Sequence, residues 1–86
     1  MSWQFRITHQ AERDISQLDV PIVRRVKERL EWFVTHFEEV VPLPLGADYK
    51  GFFKLCVGDW RIVYEVKDLE RKIIVHAVDR RDKIYS

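Results

Sequence analysis

Lys54 and Arg61 stand in two alternating runs on either side of Gly58-Asp59, within the stretch Phe53-Lys54-Leu55-Cys56-Val57-Gly58-Asp59-Trp60-Arg61-Ile62-Val63-Tyr64-Glu65. If Gly58 and Asp59 form a two-residue hairpin loop, Val57 faces Trp60, Cys56 faces Arg61, Leu55 faces Ile62 and Lys54 faces Val63. Opposed residues share a face of the sheet. Phe53, Leu55, Val57, Trp60, Ile62 and Tyr64 then form an apolar surface, with Lys54, Cys56, Arg61, Val63 and Glu65 on the other side. The Gly-Asp order is a weaker hairpin signal than Asp-Gly and leaves a longer turn or a bulge open.

Two or three cations fixed around a concave sheet can hold a phosphodiester and stabilise the added negative charge of a pentacoordinate phosphorane. That is the electrostatic half of metal-free RNA cleavage. Lysine can also move a proton when burial or neighbouring cations depress its pKa. Arg81 is the candidate third cation, and Tyr85, near Arg80, Arg81 and Lys83, could stack on an unpaired base while the cations hold its phosphates. Each has a plainer explanation: solvated cations on an exposed face, and an aromatic anchor tying down a terminus.

The remaining candidates read as structural. His76 sits in the apolar run Ile73-Ile74-Val75-His76-Ala77-Val78, where a lone histidine is usually a structural residue; His9 and His36 read as helix-surface positions. Cys56 reads as a small semi-buried filler, and Trp60 and Tyr64 as core aromatics. A single cysteine precludes an internal disulfide, and no Cys/His spacing suggests a metal or a cofactor.

These side chains need a scaffold. With 86 residues, 47% hydrophobic and 13% aromatic, the chain has enough apolar material for a packed core and is expected to be one domain spanning 1–86. The start has no signal-peptide organisation, and no apolar run approaches the roughly 18 residues of a membrane span, so a soluble cytoplasmic protein is expected. The net charge of +1 conceals an asymmetry: residues 1–48 carry six Lys/Arg and eight Asp/Glu, residues 49–86 nine and six. The basic excess therefore lies with the strands, well short of the charge of a strongly electrostatic nucleic-acid binder.

Trp3, Phe5 and Ile7 alternate as a half-buried strand. Thr8 can cap a helix carrying Ala11, Ile15 and Leu18, ending near Leu18. Asp19 can cap a longer one, in which Ile22, Val26, Leu30, Phe33 and Phe37 form the apolar stripe. The two prolines of Val40-Val41-Pro42-Leu43-Pro44-Leu45-Gly46 predict an extended connector. Strands follow at Gly51–Val57, Trp60–Val66 and Lys72–Asp79. The order β-α-α-β-β-β predicts an α+β fold: two N-terminal helices on one face of a mostly antiparallel four-stranded sheet, the other face open.

Lys54-Leu55, then Val57-Gly58-Asp59-Trp60-Arg61-Ile62-Val63-Tyr64-Glu65-Val66, then Val78-Asp79-Arg80-Arg81 and the final Ile84-Tyr85, closely resemble the RelE/ParE superfamily of bacterial toxin-antitoxin toxins, and specifically its RelE-like branch. That branch implies a RelE-like fold and a ribosome-dependent endoribonuclease that enters the A site, cuts mRNA by 2′-hydroxyl attack and so inhibits translation. By position, Lys54 would assist proton removal or stabilise the transition state, Arg61 would hold the scissile phosphate, Arg81 would stabilise the phosphorane or help the leaving oxygen, and Tyr85 would stack on the base. Lys50, Arg80 and Lys83 would add RNA contacts, and the partners would be a RelB-like antitoxin, the ribosome and mRNA. Phe52 departs from ribosome-dependent members, which carry a lysine there. A second branch, using a Glu and a His beside a terminal Tyr, does not match, because Arg80-Arg81 replaces its histidine. The alternatives are a ParE-like inhibitor of DNA gyrase and an inactive homologue that only binds antitoxin.

Overall fold

The computed structural model describes residues 2–46 and 48–80. It contains β1 (Gln4–Ile7), α1 (His9–Ser16), α2 (Val20–Thr35), a single 3-10 turn (Phe37–Glu39), β2 (Leu43–Pro44), β3 (Phe52–Val57), β4 (Trp60–Lys67) and β5 (Lys72–Arg80). The sheet order is β1-β5-β4-β3-β2, with β1 parallel to β5 and every other pair antiparallel. The α+β class and the mostly antiparallel sheet are as expected. The sheet has five strands rather than four because the proline connector itself pairs, Leu43 with Lys54 and Pro44 with Phe53. Proline is tolerated there because β2 is an edge strand with a side that needs no donor.

Helix boundaries follow local chemistry. The Thr8 hydroxyl accepts the Ala11 amide (3.2 Å) and starts α1, which ends at Ser16, two residues before the expected stop. Asp19 occupies the N-cap of α2, yet its side chain makes no capping bond. Pro21 has no amide to offer, and the amides of Ile22 and Val23 go to the Asp19 carbonyl instead. Phe37 lies beyond the helix in the 3-10 turn, still buried.

One face of the sheet holds the core. Val26 and Leu30 of α2 and Ala11 of α1 pack on Val57, Ile62, Val75 and Val78; Phe33 and Phe37 join Trp3, Tyr64 and Ile73 in a second cluster. Among the described residues no helix packs on the opposite face. No helix among the described residues is long and apolar enough to cross a membrane.

Candidate functional site

The hairpin has the register expected from its alternation: Val57 opposite Trp60, Cys56 opposite Arg61, Leu55 opposite Ile62 and Lys54 opposite Val63. Gly58 supplies the positive φ (+58°), and Asp59 is not in the left-handed region, which fits a two-residue turn needing φ > 0 only at its first position. Lys54 and Arg61 therefore share the open face, Lys54 half-buried.

Arg61 is neither solvated nor simply presented to a ligand. It is 7% exposed, and its Nε and Nη2 donate to the two carboxylate oxygens of Asp79 at 3.1 and 3.2 Å. Asp79 stands directly opposite on β5. This fork holds the guanidinium in one orientation and offsets much of its charge.

Further along the face lies a second polar pair. His76 Nε2 is 3.0 Å from Glu65 Oε1, and Lys67 Nζ is 3.1 Å from Glu65 Oε2. The hydrogen bond from His76, then that from Lys67, holds the Glu65 carboxyl below the usual carboxylate range. Phe52, opposite Glu65, meets the imidazole edge-on at 5.2 Å between ring centroids.

His76 reaches this face through an irregularity in β5. Val63 pairs with Ala77, but the next residue, Tyr64, pairs with Val75, so His76 is the extra residue of a β-bulge. Val78 and Ile73 both point into the helix-side clusters although they lie an odd number of residues apart, which an unbroken pleat cannot achieve.

A profile of the ParE toxin of type II toxin-antitoxin systems matches residues 5–85. The chain belongs to this toxin family. The curated relative Toxin RelG of Mycobacterium tuberculosis is 28% identical over 85 residues, covering 99% of this chain and 98% of the relative. The toxin-antitoxin complex RelBE2 of the same species superposes with a TM-score of 0.83 at 26% identity, covering 94% of this chain and all of that one. The isolated Escherichia coli RelE toxin (TM-score 0.75, 15% identity, 96% and 88% covered) shares the fold. So does the chromosomal ParDE system of Pseudomonas aeruginosa (0.74, 14%, 92% and 96% covered). The protein is a type II toxin of the RelE/ParE superfamily.

In this RelE/ParE toxin the anticipated residues separate. Lys54 and Arg61 are brought to one face. Arg80 is opposite Trp60, with its guanidinium 5.7 Å from the indole centroid, on the helix-bearing side of the sheet. Lys50 is exposed in the turn that leads into β3. Arg81, Lys83 and Tyr85 lie outside the described residues. Cys56 is exposed rather than a semi-buried filler, because β2 pairs only as far as Lys54 and leaves the end of β3 as an edge. There it lines a shallow groove of about 500 Å³ with Arg25, Arg29 and Trp32 of α2.

Proposed function

We propose that this toxin is a ribosome-dependent mRNA endoribonuclease, acting in the cytoplasm by metal-free attack of a ribose 2′-hydroxyl. The observation that supports the reading most is that Lys54 and the Arg61–Asp79 fork share one face of the sheet, which no helix among the described residues covers. On that face Arg61 holds the scissile phosphate, its plane fixed by Asp79. Lys54 stabilises the charge that builds on the phosphorane or assists proton removal. Arg81 and Tyr85 complete the set in the sequence as the phosphorane or leaving-group cation and the stacking ring, with Lys50 and Lys83 as auxiliary RNA contacts; Arg80, on the other side of the sheet, is not one of them.

A cognate, RelB-like antitoxin keeps the protein silent in the resting cell. Solved relatives that are toxin-antitoxin complexes support this reading. So does the exposed apolar surface at Trp32, Val41 and Leu43, along α2 and the β2 edge.

A second reading is inhibition of DNA gyrase without RNA cleavage. It is favoured by the ParE family match and by Phe52, an apolar residue on the open face where another cation would serve phosphate binding. Induction of the chain without antitoxin, with mRNA 5′ ends mapped and gyrase supercoiling assayed in parallel, separates the two. Cuts in translated frames, lost in Arg61→Ala and Arg81→Ala, are the expected result. Supercoiling loss with intact mRNA would replace the nuclease by the gyrase inhibitor, and neither effect would leave an inactive antitoxin-binding homologue.

A further inference from the structure

We propose that His76 is a catalytic residue of this face, the base that takes the proton from the RNA 2′-hydroxyl, with Glu65 as its positioning residue. The proposal rests on the nuclease reading above and names a group that reading left out.

Three observations carry it. The bulge removes His76 from the apolar register of β5 and turns it toward the open face, and neighbouring elements pin that bulge. The Thr8 amide donates to the Val75 carbonyl (3.1 Å), the Thr8 hydroxyl to the His76 carbonyl (3.3 Å), and Asp14 Oδ2 accepts the Val78 amide (3.0 Å). Bulges are a recurrent means of re-aiming a side chain beside an active site.

The ring is also fixed electronically. An ionised carboxylate can only accept, so the Nε2 that faces Glu65 carries the proton and Nδ1 holds the lone pair. Among the described residues Nδ1 has no hydrogen-bond partner, and the His76 side chain is 34% exposed. Lys67, bonded to the second oxygen, helps keep Glu65 ionised.

Finally, the ring is confined. Phe52 closes on it from the β3 side, at a ring angle of 72°, while Glu65 holds it from β4. Lys54 is the next residue of β3 on the same face, and β3 and β5 are two strand spacings apart, roughly 10 Å. A gap of that width between lysine and imidazole side chains on one face is of the size of a single sugar-phosphate link. An exposed His–Glu pair serving stability alone contributes little and requires neither the bulge nor a vacant acceptor nitrogen.

In the step, the 2′-hydroxyl proton passes to His76 Nδ1, and the oxygen's electron pair forms the bond to phosphorus. The bond from phosphorus to the 5′-oxygen then breaks, and that oxygen takes a proton from water. The products are a 2′,3′-cyclic phosphate and a 5′-hydroxyl, and the imidazolium returns its proton to solvent. Nothing is oxidised or reduced. Lys54 is left to stabilise charge. The charged groups on the face around the imidazole are Arg61, Glu65 and Lys67 from β4, Lys54 from β3, Arg6 from β1, and Lys72 and Asp79 from β5.

The test measures cleavage of a defined mRNA in a translating extract by the wild type, His76→Gln, Glu65→Gln and His76→Ala across about pH 5.5–8, the range in which imidazole titrates. Thermal unfolding of each variant verifies that it is folded. His76→Gln is expected to cut about 100-fold more slowly and to lose the acidic limb of the pH profile. Free imidazole should restore part of the rate of His76→Ala. Glu65→Gln should cut more slowly, with a pH profile that differs from the wild type's, because the carboxylate that fixes the ring and its Nε2 proton is gone. A folded His76→Gln that cuts at the wild-type rate with an unchanged profile, or a folded His76→Ala that imidazole does not rescue, overturns the proposal and leaves the nuclease reading standing. A wild type that does not cut at all removes the nuclease reading, and His76 as its base with it.

Discussion

Arg61 has the right type and position for phosphate binding, and its setting shows what such a cation requires when it stands in a sheet. A guanidinium on a side chain only 9% exposed must be compensated, and Asp79 does this through both carboxylate oxygens. Asp79→Asn is therefore expected to destabilise the fold by about 3 kcal/mol, the typical cost of leaving one partner of a buried pair alone, whereas replacing both residues by leucine should cost much less. Urea unfolding of the single and double variants measures this; an Asp79→Asn midpoint equal to that of the wild type would mean the fork carries no stability. The pairing was not legible beforehand. Lys54 and Arg61 could be set on one face by counting back from a turn, but Asp79 comes opposite Arg61 only through the β4–β5 register, which a bulge and a four-residue connection both influence.

The elements show where local chemistry was sufficient and where it was not. The hairpin was legible because Gly58 meets a specific backbone demand at φ +58°. Gly58→Ala should cost about 1–2 kcal/mol from that left-handed conformation. The added methyl would also lie 2.9 Å from Arg25 Nη2, but that is the mobile end of a long side chain, so the backbone sets the penalty. Equilibrium denaturation checks it, and a stability change below a few tenths of a kcal/mol would show that the turn relaxes to another type. β2 and the bulge at His76 escaped the strand-by-strand reading for different reasons. β2 is only two residues long and carries a proline, so it has no alternation to detect. The bulge sits inside a run that is apolar on both faces, so periodicity there is nearly silent.

At the scale of the molecule, both apolar clusters lie between the helices and a single face of the sheet, and Phe5 and Leu55 pack against both. Such a continuous layer should unfold as one unit. Leu30, 1% exposed at its centre, is the position to test. Leu30→Ala is expected to cost about 3 kcal/mol, and in a domain of this size that lowers the melting temperature on the order of 15 °C. Circular dichroism in the far and near ultraviolet should give coincident transitions; two separated ones would divide the core into independent parts. Because the clusters share a face, the opposite surface is not covered by the described helices and remains available for the chemistry proposed for Lys54, Arg61 and His76.

Composition and alternation were enough to specify the α+β class, the order of the main elements, the hairpin register and the common face of Lys54 and Arg61, because each follows from nearest-neighbour geometry along the chain. The partners of those residues were decided only by the tertiary structure. Asp79 meets Arg61, and His76 meets Glu65 and Phe52, across strands whose register is set by long-range packing. A shift of one residue in that register moves a side chain to the opposite face.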